Sequence, residues 1–540
     1  MRQSENMRSG DHNHDRDHDH DHDRYRGASV RQAAILVAIT LAVFSTTLSA
    51  DFVYDARLQI LTDPFLHDPG NWLDVVTFRV LGRDVLDFNR PVHLASLMLD
   101  AAVWGREPFG YHLTSIFLHA ANVVLLWLLV RDVLAQGRGA GATPQAIVPM
   151  LAALAFAVHP VVVEAVCEPT FREDLLAAAF TLTAVVLAGR HAASPAGDLR
   201  RAFGCAACCL LAVASKESGV AAPFVLAAYR GLFHRGDRSR FWTVAIGGGL
   251  VAVMAFLAAR FLLEPSPSRI FETRPEYPGG SLWEAVKIEP RILALYAQLI
   301  VCPVNLCADY GGISVGHLPL WAALVVLTVL AVFAAIAAWQ DQRIAFGLAL
   351  VLVPLLPVSN LVPIYRAAAD RYLYLPLAGV ACIAACLLDS AWVNARESRR
   401  QTVVVAAILV IVALALACVG RQAVWSTQLA LWEDTHARNP ASFNGANGLS
   451  GALREAGRAD EAIAMGRRAV ELSSGQRGDA WMTLALALDA AGLTADADAA
   501  AAKAVELDAR LTDPDGRVAA LAMEIGEAEG VKRILARRGP

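Results

Sequence analysis

Residues 402–420 read TVVVAAILVIVALALACVG, nineteen positions without a charge. At 1.5 Å of rise per residue such a helix covers about 28 Å, close to the roughly 30 Å hydrocarbon thickness of a bilayer. Comparable runs recur back along the chain at 372–390, 344–358, 319–339, 242–263, 218–233, 202–215, 174–189, 146–162, 110–130 and 32–50, giving eleven candidate spans. The whole 540-residue composition agrees: 56% hydrophobic, 18% charged and a mean hydropathy of +0.43 exclude a soluble multidomain protein. The expected fold is all-α, a polytopic membrane helical bundle. A net charge of -4 gives no general attraction to nucleic acid.

Loop charges orient these spans, because cytoplasmic loops are enriched in Lys and Arg. Arg131 and Arg138, then Arg190, Arg200 and Arg201, then Arg230, Arg235, Arg238 and Arg240, and finally Arg396, Arg399 and Arg400 mark one side. The 290–303 stretch, RILALYAQLIVCP within it, reads as an interfacial or re-entrant helix too short to cross. The tail 1–31 is then cytoplasmic, in a multi-pass plasma (inner) membrane. Loops 51–109, 163–173, 264–318 and 359–371 and everything after 420 lie outside, in the periplasm or its equivalent.

The two ends differ from the middle. Residues 11–23, DHNHDRDHDHDHD, alternate Asp and His with nothing to bury, and read as a solvated disordered tail that could bind divalent metal weakly. It is too polar for a cleaved signal peptide. After Gly420 the long apolar runs stop. Here GALREAGRADEAIAMGRRAVEL and LALDAAGLTADADAAAAKAVEL align with a period of 35, Gly457 on Gly492 and Ala469 on Ala504. That is within one residue of the tetratricopeptide (TPR) repeat, so 421–540 reads as a short α-solenoid, with 425–440 a preceding half-unit and 512–537 a capping pair. So short an array is expected to lean on the membrane domain at 32–420. The nine cysteines show no zinc spacing and no disulfide framework; only Cys302 and Cys307 could meet an oxidising compartment.

Ionisable side chains gather on the outer side, at depths where they are expensive and are functional candidates by default. They include Asp51, Asp55, Arg90, Glu164, Arg172, Asp174, Lys216, Glu217 and Arg371. The alternative is that they cap helix ends or pair with one another. Glu164 is expected to pair with Arg172, Arg90 either to snorkel beside a surface helix at 91–104 or to shape a cleft, and Ser215-Lys216-Glu217 to form an outward hairpin tip. His112, His119 and Asn122 share one helical face and read as a buried hydrogen-bonded stripe rather than a metal site. Tyr372 and Tyr374 read as an interfacial aromatic belt.

DFVYDARLQIL, FNRPVHLASLMLDAAVWG, FGYHLTSIFLHAANVVLLWLLVRDV, AFAVHPVVVEAVCEPTFREDLLAA, SKESGVAAPFVLAAY and PVSNLVPIYRAAADRYLYLPLAG occur in that order. With trailing repeats, this resembles the TMTC family and its bacterial relatives, integral-membrane glycosyltransferases of the GT-C superfamily similar to protein O-mannosyltransferases. The resemblance runs from about residue 32 to the end. It implies transfer of a sugar from a polyprenyl-phosphate donor to an acceptor hydroxyl, Ser or Thr of a protein, on the exoplasmic face, with the TPR repeats engaging the acceptor. An attacking hydroxyl needs a base, and the resemblance points to Asp55. The departing phosphate needs cations, and Arg172, Lys216 and Arg371 stand in matching motifs, supported by Asp51, Arg90, Glu164, Asp174 and Glu217. No resident cofactor or metal ligand is expected, though a divalent metal is compatible with the donor chemistry. Relatives usually carry an adjacent acid pair after the first span. Here Asp55 is followed by Ala56, so the competing expectation is a catalytically silent membrane scaffold whose outer repeats recruit an envelope protein.

Overall fold

The structure, a computed structural model, describes residues 28–83, 85–136, 146–191, 198–263, 276–311, 318–394, 396–512 and 527–538, and among them every regular element is a helix. The histidine-rich tail and most of the expected capping pair lie outside the described residues.

The first span forms α1 (Ala28–Val43), continued by a 3-10 turn at Ser45–Ser49. The 51–109 loop carries α2 (Pro91–Trp104), started by a proline whose missing N–H is one that a first turn leaves unused. Then follow α3 (Pro108–Gln136), α4 (Ile147–Ala157), α5 (Arg172–Gly189), α6 (Asp198–Ser215), α7 (Ala222–Phe233) and α8 (Arg240–Leu263). Next come α9 (Leu282–Val301), α10 (Leu320–Gln340), α11 (Gln342–Leu355), α12 (Tyr374–Asn394) and α13 (Glu397–Val424). All eleven apolar runs are helical, but only α3, α8, α10, the segment Asp370–Val393 and α13 are long and apolar enough to cross a membrane straight. A sixth crossing exists if α4 and the turn Pro160–Cys167, bent by 50°, count as one. Polar groups at the ends of the other runs shorten them, and Pro160 and Pro223 break or start helices inside two of them.

Burial sorts these helices into interior and flank. In α3 and Asp370–Val393 the apolar windows are 56% and 61% buried, whereas α10 and α13 each bury only 6% of theirs. Flanks that apolar need lipid, so the chain is a membrane protein. Helices α11 and α12 cross closely: a Cβ on Gly379 would sit 2.6 Å from the carbonyl oxygen of Gly347, an approach only small residues permit. The 290–303 element is corrected in extent: α9 is 20 residues, starts at Leu282 with the Ser281 hydroxyl accepting the Glu284 N–H, and tolerates Pro290 inside it.

Contacts divide the helix ends into two faces. Arg131 reaches Ser29, Arg201 donates to the Arg190 carbonyl, His191 pairs with Asp237 at 2.9 Å, the Tyr229 and Phe346 rings meet, and Arg343 bonds Asp389. The arginine-rich ends therefore share one face. On the other, Asp51 N–H donates to the Ser426 carbonyl, Tyr54 N–H to Gln428, and Asp309 accepts from Ser442 and Asn444.

That second face carries the C-terminal helices α14 (Gln428–Arg438), α15 (Phe443–Glu455), α16 (Ala459–Leu472), α17 (Gly478–Ala490), α18 (Thr494–Leu507) and α19 (Glu527–Arg538). They form antiparallel hairpins that repeat in detail. Gly457 and Gly492 take φ of +74° and +76°, and behind them Arg458 N–H bonds the Leu453 carbonyl as Leu493 N–H bonds that of Leu488. The same helix-ending motif, 35 residues apart, thus uses the left-handed backbone that glycine adopts without strain.

Candidate functional site

The loop 51–107, on the face that carries the repeats, folds around its own small core of Phe52, Ile60, Phe65, Val80, Leu94 and Met98, which fixes where its polar groups project. Tyr54 takes φ of +54° and Asp87 +51°, left-handed conformations uncommon for side chains of this kind and often found at functional sites. Tyr54 is held there by Gln428 at its N–H and by the rings of Phe171, Trp425 and Trp432. Asp55, next in sequence, is exposed to water, and among the described residues no Lys, Arg or His lies within 4.0 Å of it. It is nevertheless surrounded by protein. That low-polarity mass lifts its carboxyl above the ordinary value, while Arg366 first, then Arg371 and Arg90, oppose the lift and Glu173 adds to it. An exposed carboxylate without an ion-pair partner is the arrangement a general base needs.

Glu164, Asp174 and Glu217 are engaged with cations. Glu164 pairs with Arg371, accepting from its guanidinium and from its backbone N–H at 2.9 Å, not with Arg172 as its position suggested. The ring of Tyr372, the following residue, lies under both Arg371 and Lys216. Arg172 itself is 0% exposed: it pairs with Asp100 at 2.5 Å, donates to the Tyr111 and Ser96 carbonyls, and does not reach the cleft. The first turn of α5 faces inward, which sequence spacing could not show. Lys216 is also turned in, bonded to Glu173 at 2.9 Å and Asp174 at 2.5 Å, so the expected hairpin tip is tucked under the loop. Arg90 does not snorkel; it is clamped by Asp87, Glu173 and Glu217. Asp51 stays exposed at the junction with the repeats.

The cation that sequence reasoning missed is Arg366. Its guanidinium bonds Asp309 at 3.0 Å, lies over the Tyr54 ring at 5.6 Å and keeps a quarter of its side chain in water. It is the strongest positive influence on Asp55, and its place in an irregular loop gave no periodic signal. Glu168, an acid of the 163–173 loop to which the sequence reading gave no site role, is buried near Ala56. The polar stripe is in part as expected: His119 bonds Tyr374 Oη at 2.7 Å and the Ala157 carbonyl, and Asn122 donates to Leu175 and Tyr374, whereas His112, equally buried, has no hydrogen-bond partner on either ring nitrogen among the described residues. Tyr374 is thereby 1% exposed, an interior residue and not part of a belt.

Asp87, His93 and Glu173 bring ligand atoms within 4.8 Å of one another, the best grouping for a metal among the described residues. Arg90 and Lys216 already hold Glu173, and Arg90 and Gln59 hold Asp87, so these donors fit a divalent ion poorly unless cations leave. All nine cysteines are free thiols, Cys302 exposed and Cys307 buried.

No family model matches the chain, and no solved structure does. Curated proteins do. The Caenorhabditis elegans "Protein O-mannosyl-transferase F38B6.6" is 25% identical over 430 residues, 75% of this chain and 58% of its own length. "Protein O-mannosyl-transferase Tmtc3" of Drosophila melanogaster is 26% identical over 71% of this chain and 48% of its own. A mouse relative, "Protein O-mannosyl-transferase TMTC2", reaches 31% over 37% of this chain. The chain is TMTC-like. It spans about half the length of the first two relatives. In this TMTC-like chain the acid after the first span stands alone in sequence, and the structure supplies its neighbours from the 163–173 and 359–371 loops instead.

Proposed function

We propose that the chain transfers a sugar, from a polyprenyl-phosphate carrier, to a hydroxyl of an acceptor protein on the face that carries the repeats, and that this face is exoplasmic. The observation that carries the reading is Asp55: a water-facing, unpaired carboxylate with Arg366 and Arg371 as its strongest cationic neighbours. In the reaction the acceptor hydroxyl gives its proton to Asp55 as its oxygen attacks the anomeric carbon. The bond to the carrier phosphate breaks, and the phosphate gains negative charge that Arg366 at the surface meets directly. Arg371 and Lys216, mostly buried, contribute through the field rather than by contact.

The names of the relatives support protein as acceptor and mannose as the sugar. The repeats, TPR-like in period and in their glycine-ended hairpins, would present the acceptor. The test is Asp55→Asn, assayed for transfer from native membranes to surface proteins by mass spectrometry. Loss of transfer with normal membrane insertion is expected; an unchanged rate removes the proposed base. The scaffold alternative rests on Ala56, and is favoured only if the wild type transfers nothing while Ala56→Asp does.

A further inference from the structure

The Arg366 guanidinium is tied to the repeats through Asp309, which is 3% exposed. The Oδ1 of Asp309 accepts from Arg366 at 3.0 Å and from the Gly311 N–H at 3.1 Å, while its Oδ2 accepts from the Ser442 hydroxyl at 2.5 Å and the Asn444 side-chain amide at 3.1 Å. Four donors match the lone pairs of a carboxylate and offset the cost of burying it. One oxygen thus serves the 359–371 loop and the other the repeats. The grip extends to the backbone: Asn439, in the turn between α14 and α15, donates to the Asp309 and Gly311 carbonyls at 3.0 and 2.7 Å. Ser442 is also the N-cap of α15, its oxygen accepting the Gly445 N–H at 2.8 Å, so this donor is itself fixed.

The loop around Arg366 supplies no orientation of its own. Residues 359–369 form no regular element, and an arginine side chain without fixed partners spreads over many rotamers. Its second support, the Tyr54 ring at 5.6 Å, leads to the same hairpin: that ring lies 5.4 Å from the ring of Trp432, and the Tyr54 N–H donates to Gln428 at 3.0 Å, both residues of α14. We infer that the first repeat hairpin, α14 and α15, is a working part of the transfer site, holding Arg366 through the positioning residue Asp309 so that the guanidinium is already set for the departing phosphate. Groups that stabilise developing charge act most strongly when they need not reorganise during the reaction. The repeats then govern the donor as well as the acceptor. This deepens the transfer reading, and its kinetic part rests on Arg366 as the cation that meets the phosphate.

In the full-length chain in native membranes, Ser442→Ala combined with Asn444→Ala strips Oδ2 of its donors and keeps Arg366 and Asp309 themselves. Donor KM should rise on the order of tenfold, the size of a lost hydrogen bond to a charged group, with acceptor KM little changed. In an Arg366→Ala background the same two substitutions should add nothing to donor KM, because residues that act through one guanidinium are not additive. A full additive effect there, or a change in acceptor KM alone, overturns the inference. Ser450→Ala is the control: Ser450 is buried in α15 and its hydroxyl donates within the repeats, to the Ala462 carbonyl at 2.7 Å. It should leave donor KM unchanged, and a rise equal to that of the double variant would reduce the effect to a general loosening of α15 and overturn the inference. Independently of any substrate, modification of Arg366 by phenylglyoxal in the purified full chain, read by mass spectrometry, should quicken in the double variant and not in Ser450→Ala. An unchanged rate in the double variant overturns the link even if transfer is real; a quickened rate supports it even if the wild type transfers nothing. Should the double variant fail to accumulate, Asn444→Ala alone carries the same expectations at smaller size.

Discussion

Asp55 is a water-facing carboxylate with no ion-pair partner among the described residues, and the consequences can be measured residue by residue. Asp55→Asn should lower transfer by roughly 10²–10⁴-fold, the range general-base catalysis supplies. Arg366→Ala should weaken donor binding more than Arg172→Ala, since only Arg366 of the two keeps water-facing surface; equal KM effects would discount Arg366. Asp87 gives a pH dependence of stability. Burial, with Glu173 and Glu217, raises its carboxyl from 3.8 to about 6 against the pull of Arg90. The native state therefore takes up that proton more readily than the unfolded chain, so this group's contribution is lost as pH rises from 3.8 through about 6. The detergent-solubilised chain should unfold at a lower temperature above that window than within it, and Asp87→Asn should flatten the difference.

Among the elements, the junction between membrane helices and repeats depends on one acid. Asp309, 3% exposed, takes Arg366, Ser442 and Asn444 at once. Asp309→Ala leaves the guanidinium without its partner and should cost about 3–5 kcal/mol, seen as faster hydrogen exchange in α14 and α15 and proteolysis near residue 440. Within the bundle, Gly379→Ala forces a methyl against the Gly347 backbone and should destabilise the α11–α12 pair by about 1–3 kcal/mol in thermal unfolding. The repeat was legible beforehand because a 35-residue period and two glycines with identical roles leave a linear trace. The inward turn of α5 was not: Arg172 and Asp174 in its first turn read as outer-side charges, and only contacts with Asp100 and Lys216 place them inside.

Over the whole molecule, the arginine-rich helix ends and the Asp55 cleft lie on opposite faces, and the proposed orientation can be checked with a native probe. Cys302 is the only exposed cysteine of the nine. A membrane-impermeant maleimide added to cells with a permeabilised outer layer should label it and Cys302→Ser should abolish labelling; labelling only after lysis would reverse the orientation. By itself the sequence determined that the chain is helical, that it is a membrane protein, that its tail of helices repeats, and that one set of its helix ends is rich in arginine. Those properties depend on hydrophobic runs, loop charge and period, which are local sums along the chain. The structure alone decided which base serves which acid: Arg371 goes to Glu164, Arg172 to Asp100, and Asp55 to none among the described residues. Ion pairing at short range depends on depth and on distance between segments far apart in the chain, and no pattern in a linear sequence encodes either.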